Sequence, residues 1–263
     1  MNGVLVPQSI TTIFLDLGNT LRILLKDQEH MARARQKIVA LVGTDEDPAA
    51  FCAKLNERYK GYRKWAFETL TEAPEAEMWM RWLAPEFPAG KIAPLAAELT
   101  YQFRQSMGRR VIADGGREVV ETLRRRGYTL GIISNLIGTR EIPEWLEAED
   151  FQPYFKSVVL SSVFGRRKPD PAIYLEATRL AGVEPAHCVY VGDNLKRDVA
   201  GTRAAGFGMV IIIISPEELA EGTTADEDCP DVIIHQFREL LDIFPEREPS
   251  PPALFPASET GKG

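Results

Sequence analysis

Short apolar runs that stop abruptly at polar residues recur along this chain. The first, Ile13-Phe14-Leu15, ends at Asp16 and enters the turn-forming stretch Leu17-Gly18-Asn19-Thr20-Leu21. Tyr128 to Ile133 delivers Ser134-Asn135, and Ser157 to Leu160 delivers Ser161-Ser162 and then Gly165-Arg166-Arg167-Lys168-Pro169-Asp170-Pro171. Cys188 to Val191 leads into Gly192-Asp193-Asn194-Leu195-Lys196-Arg197-Asp198. Apolar runs bounded by turn residues fit strands covered on both faces. Met209 to Ile214 reads as another buried central strand, and Val232 to Ile234 as a strand at the sheet edge. Between them lie helical segments with legible ends. Asp170 is placed to cap a helix with Pro171 at its first position, Ile173, Tyr174, Ala177, Leu180 and Ala181 recur at helical spacing, and Gly182 ends it. Strands alternating with helices predict an α/β fold built on a parallel, right-handed, doubly wound sheet.

Between Asp16 and Ser134 the pattern changes: about a hundred residues show no convincing strand alternation and several helical faces. Met31, Ala34, Ile38, Leu41 and Val42 form one face, stopped by Gly43. Asp47-Pro48 starts a second helix carrying Phe51, Leu55 and Tyr59, with Tyr62 beyond, and Leu95, Leu99, Phe103 and Met107 line a third at a spacing of four. The expected organisation is a core of residues 1–22 and 113–245 and a helical insertion of residues 23–112. The Pro-rich stretch 246–263 is expected not to pack. Trp65, Trp79 and Trp82 fall in the insertion, where such aromatics most often fill a core; the alternative is that one or two face a cleft and select an organic group.

In an open α/β sheet the carboxyl ends of the strands are where ligands bind, so a carboxylate delivered there by Ile13-Phe14-Leu15 is a candidate functional group. Taken singly, each polar cluster has a plain alternative. Asp16 could cap a turn, Ser134-Asn135 could be a turn, Lys168 could belong to a solvated basic triplet, and Asp198 could be a helix N-cap, alone or together with a site role. Joint occurrence after successive strands is what raises them above these readings.

The four clusters, in this order, resemble the motifs of the haloacid dehalogenase-like (HAD) hydrolase superfamily, and a helical insertion after the first strand resembles the C1-type cap of that family. The resemblance implies a Rossmann-like core with an all-helical cap, and phosphomonoester hydrolysis through an aspartyl phosphate on Asp16. It further implies Mg²⁺ held by the Asp16 side chain, the Gly18 carbonyl and the Asp193 side chain. Lys168 would neutralise the nucleophile and the phosphoryl group; Ser134, Asn135 and Asn19 would contact substrate; Asp198, Thr20 and Asn194 would support the site. A small phosphorylated metabolite such as a sugar phosphate is the substrate class implied.

One position departs from the family pattern. Its phosphatases usually carry a second Asp, the general acid and base, where this chain has Gly18, with Asn19 following where Gly is usual. Asn tolerates left-handed backbone better than most residues, so the turn survives. A positioned general acid is typically worth ~10²–10⁴ in rate. Slow turnover, restriction to good leaving groups, or a retired protein that binds phosphate or a partner without turning substrate over all follow from its loss. A 2-haloacid dehalogenase is the other alternative, because halide leaves without a proton; retention of Gly192-Asp193 favours the metal-dependent reading, since an unneutralised carboxylate there would repel Asp16.

Composition narrows the remaining choices. A chain of 263 residues with 44% hydrophobic and 26% charged residues suits a core domain plus a smaller one. A net charge of −7 and a pI near 5.2 argue against nucleic acid as a partner, with the Arg124–Arg126 triplet read as a solvated face. Three dispersed cysteines, no CxxC spacing, no signal-peptide pattern and no run long enough to span a bilayer lead to the expectation of a cytoplasmic protein without membrane contact. Oligomeric state leaves no mark in the pattern.

Overall fold

The computed structural model describes residues 6–221 and 229–247. Eight strands are present among them: β1 (Thr12–Leu15), β2 (Arg22–Leu25), β3 (Arg109–Ile112), β4 (Thr129–Ser134), β5 (Phe155–Leu160), β6 (Cys188–Gly192), β7 (Met209–Ile213) and β8 (Val232–Ile234). Six form a parallel sheet in the order β5-β4-β1-β6-β7-β8, so the chain starts in the middle, builds one side and then crosses to the other. Alternate side chains of the central strands enter different cores. Ile13, Leu15, Val189 and Val191 join the cluster under the Gly116–Arg125 and Glu141–Ala148 helices, whereas Phe14, Cys188 and Tyr190 join that of the Pro171–Ala181 and Leu195–Ala204 helices. Burial on both faces is why these strands are written as unbroken apolar runs. The doubly wound α/β core expected from the pattern is therefore the fold observed.

The sheet's register sets the site. Leu15 stands beside Ile132 on one neighbour and Val191 on the other, so Asp16, Ser134 and Asp193 all emerge at the same carboxyl edge, at the point where strand order reverses. A side chain is excluded next door: a Cβ at Gly131 would lie 2.4 Å from the Phe14 ring.

The insertion carries its own core, in which Ile38, Phe51, Leu55, Tyr62, Trp79, Leu99 and Phe103 are fully buried. Gly43 and Asp47-Pro48 mark helix ends as expected, whereas Leu95 and Met107, read as part of the third helix, lie just outside it. Asp27 accepts from the His30 N–H and Gly43 ends the Gln28–Val42 helix at φ 70°; Asp47 accepts from the Ala49 and Ala50 N–H groups at the head of the Pro48–Thr69 helix. The third face belongs to the Ala96–Gln105 helix, preceded by a short 3-10 turn that contains Leu95. Of the tryptophans, Trp79 is core, while Trp65 and Trp82 are half-buried and packed on each other with ring centroids 4.9 Å apart.

The structure adds a feature that the helical reading of residues 23–112 did not contain. β2 and β3 pair as an antiparallel ribbon at the root of the insertion, Arg22 opposite Ile112 and Leu25 opposite Arg109. Four-residue strands with Ile23, Leu24 and Leu25 all about 40% exposed carry no alternation to read. A second contact joins insertion to core further out: Thr71 bridges Arg166 antiparallel, the Glu72 N–H donates to the Gly165 carbonyl (3.0 Å) and the Arg167 N–H to the Leu70 carbonyl (3.1 Å). At the C-terminal end the chain stays packed slightly past the expected boundary, with the Arg247 N–H donating to the Arg126 carbonyl. The remainder of the stretch expected not to pack, 248–263, lies outside the described residues. Among the described residues no helix is long and apolar enough to cross a membrane.

Candidate active site

Asp16 is 4% exposed, and both its carboxylate oxygens are engaged. Oδ1 accepts from the Leu17 N–H (2.7 Å) and the Ser134 hydroxyl (2.9 Å); Oδ2 accepts from Lys168 Nζ (2.6 Å) and from Arg197 Nη2 (3.3 Å). A carboxylate gripped by four donors is held in one orientation.

Lys168 and Asp198 have no exposed surface at all. Lys168 Nζ lies 3.3 Å from Asp198 Oδ1 and also donates to the Tyr190 hydroxyl. Within the basic triplet, only Arg166 meets the solvated expectation; Arg167 is buried against Glu72. Asn135 fixes the backbone that presents the lysine: its Oδ1 accepts from the Lys168 N–H (2.8 Å) and its amide donates to the Lys168 carbonyl (3.0 Å). Burial works against charge on Asp198, but Lys168 and Arg197 outweigh it and hold the carboxyl below its ordinary range.

Asp198 is not the helix N-cap that its position suggested. Asn194 takes that role, accepting from the Arg197 N–H, while Asp198 sits one turn inside and accepts from the Asn194 N–H (3.1 Å). Asn19 adopts the left-handed backbone expected of it, at φ 53°, and its amide donates to Asp193 Oδ2 (3.0 Å). Thr20 is buried with its hydroxyl unpartnered, away from the Asp16 carboxylate's donors. A Cβ built on Gly18 meets nothing within 4 Å, so the position usually filled by the acid/base Asp is open space.

One carboxylate oxygen from each of Asp16, Asp193 and Asp198 lies within 4.8 Å of the others. Asp193 is pushed above its ordinary range, first by burial and then by the Asp16 charge. The Arg197 guanidinium sits among the three: Nη2 is 3.0 Å from Asp193 Oδ1 and 2.9 Å from Asp198 Oδ2. Burial disfavours its charge, yet Asp198 and Asp16 more than reverse that and keep it protonated. Three carboxylates focused on one cationic point form a donor set that fits a hard divalent ion, which prefers oxygen ligands.

Tyr190 and Arg197 were not singled out from the sequence. Tyr190 sits inside an apolar strand run and reads as core; only its burial against two carboxylates, which drives its hydroxyl well above the ordinary range, reveals a permanent donor and acceptor. Arg197 carried a weak signal, since it falls in the first turn of the helix that follows Asp193, four residues on. Two cavities open beside the site and share Asn19. One of about 690 Å³ is also lined by Asp193, Asp114, Ser215 and His235; the other, of about 220 Å³, is lined by Gly18, Ser134 and Asn135.

The chain is similar to known proteins. The chain is 29% identical to a glyceraldehyde 3-phosphate phosphatase of Pyrococcus furiosus over 251 residues, which is 91% of this chain and 94% of that protein. It is 36% identical over 124 residues to the protein of the same name from Methanopyrus kandleri, covering 47% of this chain and about half (52%) of that relative's length. Among solved structures, a 2-haloacid dehalogenase from Pseudomonas syringae pv. Tomato DC3000 has the same fold, with a TM-score of 0.63 at 22% identity over 89% of this chain and 97% of that one. The family model for haloacid dehalogenase-like hydrolases matches residues 10–206, and the chain belongs to that family.

Proposed function

We propose that the protein is a Mg²⁺-dependent phosphomonoester hydrolase acting on a small phosphorylated metabolite through an aspartyl phosphate. The observation that supports this reading is that one carboxylate oxygen from each of Asp16, Asp193 and Asp198 lies within 4.8 Å of the others, with Asp16 also gripped by Lys168. Asp16, Asp193 and the Gly18 carbonyl would hold the ion, which supplies charge neutralisation for the approach of an anionic phosphate. The dehalogenase alternative needs no such acidic set.

The chain's own residues do the following. An Asp16 oxygen attacks phosphorus, a P–O bond to Asp16 forms and the bond to the ester oxygen breaks. Lys168, held between Asp16 and Asp198, offsets the negative charge gathered between carboxylate and phosphoryl group. Ser134 keeps the Asp16 carboxylate turned toward the site, and Asn135 holds the Lys168 backbone in place. With Gly18 in place of an acid, the departing alkoxide takes its proton from water, so good leaving groups are favoured. Water then attacks phosphorus and releases phosphate, restoring the Asp16 carboxylate.

Phosphate release from a panel of small phosphomonoesters, with and without Mg²⁺, tests the reading. Release that depends on Mg²⁺ and falls to background in Asp16→Asn is expected. Release that survives the loss of this carboxylate overturns it, and binding without release points to the retired alternative.

A further inference from the structure

Three arginines and one glutamate meet at the root of the insertion. Arg22 is on β2, Arg110 on β3, Arg104 in the last turn of the Ala96–Gln105 helix, and Glu141 opens a helix of the core. Arg22 Nη1 lies 3.1 Å from Glu141 Oε1 but off the line of a hydrogen bond; Arg104 bonds to Oε2, and Arg110 Nε stands 3.9 Å away. Exposures are low throughout: 6%, 14% and 15% for the side chains of Arg22, Arg104 and Arg110, and 4% for Glu141.

One carboxylate cannot balance three guanidinium groups, Arg22 buried and Arg104 and Arg110 largely shielded; Arg110 Nη1 also donates to the Arg104 carbonyl (2.9 Å), but a neutral acceptor leaves the excess charge unanswered, which is costly. The strain on charge is visible at Arg110, pushed down to about 10 by burial and by its neighbour Arg104. Arg22 is held flat on the Trp145 ring, 4.7 Å from its centroid, and its Nε is buried with no partner. All three arginines line the cavity of about 220 Å³ that Gly18, Asn19, Ser134 and Asn135 close on the other side.

We propose that Arg22, Arg104 and Arg110 form a second anion subsite beside the phosphoryl site, and that the substrate is a short phosphomonoester bearing a second anionic group, a carboxylate or a second phosphoryl group. This rests on the phosphatase reading for the identity of the first group and deepens it by naming the substrate class. Planar guanidinium groups recognise either anion by paired hydrogen bonds. The cavity, about 220 Å³, is the smaller of the two beside the site, which suits a short alcohol portion.

The test measures binding by the full chain in Mg²⁺ of two related probes, phosphonoacetate and ethylphosphonate, which differ by a carboxylate in place of a methyl group. Binding of phosphonoacetate at least ~10-fold tighter, about 1.4 kcal/mol, is expected. That preference should be lost in Arg110→Ala, partly recovered in Arg110→Lys, and kept in Arg125→Ala on the solvated face of a distant helix. No difference between the two probes with wild-type protein, including no binding of either, overturns the subsite, as does a preference untouched in both Arg110→Ala and Arg22→Met. Turnover separates the two layers. Equal kcat/KM for 2-phosphoglycolate and ethyl phosphate leaves the phosphatase reading standing and removes the subsite; preferential phosphonoacetate binding with no phosphate released from either ester keeps the subsite and removes the phosphatase reading. A larger kcat/KM for ethane-1,2-diyl bisphosphate than for 2-phosphoglycolate assigns the second group as phosphoryl, and the reverse order as carboxylate.

Discussion

Gly18 is the residue whose replacement separates binding chemistry from proton transfer. No atom lies within 4 Å of a Cβ there, so Gly18→Asp should fold normally. It should accelerate alkyl phosphates by up to ~10²-fold or more while changing aryl phosphates little, and equal acceleration of both would contradict this account. Arg197 offers a second measurement. Its removal leaves Lys168 alone against three clustered carboxylates, so Arg197→Ala should melt earlier than wild type without divalent ion and gain more on adding Mg²⁺, read as a thermal shift. At this scale the sequence carries Asp16, Ser134, Lys168 and Asp193, because each is a polar residue in a conspicuous place after an apolar run. Tyr190 escapes notice because an aromatic ring in a strand announces packing, and its hydroxyl matters only once folding has set it beside Lys168.

The elements most easily read were those whose ends are written in residues. Asp47-Pro48 and Asp170-Pro171 start helices, and Gly43 and Gly182 stop them. The β2–β3 ribbon was not legible, since its pairing joins residues 22–25 to 109–112 and nothing in either four-residue segment specifies the partner. Yet that ribbon carries two of the three arginines that converge on Glu141, Arg22 and Arg110. Burial opposes ionisation of Glu141, but Arg104, Arg110 and Arg22 outweigh it and depress its carboxyl from the ordinary 4.5 to about 2. A depressed carboxyl contributes stability that is present above its unfolded value and lost as pH falls through its folded one. Glu141→Gln should therefore destabilise at neutral pH by about 3 kcal/mol or more, and the gap from wild type in urea denaturation should narrow as pH falls from 4.5 toward 2. A gap constant over that range would assign Glu141 a role other than charge.

On the scale of the whole molecule, the chain builds separate apolar cores: two against the faces of the sheet and one inside the insertion, which Ile137 alone enters from the core side. The core inside the insertion draws on one stretch of sequence, whereas the two sheet cores share strands and take alternate residues from each. How the insertion meets the sheet was not predictable, since that contact is made by backbone groups and by buried ion pairs far apart in the chain. Phe51→Ala, at a fully buried position of the insertion, should cost about 3–5 kcal/mol. Hydrogen exchange should show lost protection in the helices between Gln28 and Gln105, with β1, β4 and β6 retaining theirs. The strip where Thr71 lies against Arg166 gives this division a further meaning. It ends one peptide short of Lys168, and Glu72 at its end also accepts from Ser161 and Arg167. The lysine that steadies Asp16 is thus kept on a leash whose other end is tied to the neighbouring lobe. An outward swing of that lobe would have to break these contacts or pull on the segment that carries the ammonium, so the Lys168–Asp16 pair is mechanically tied to a body that Asp16 does not bond.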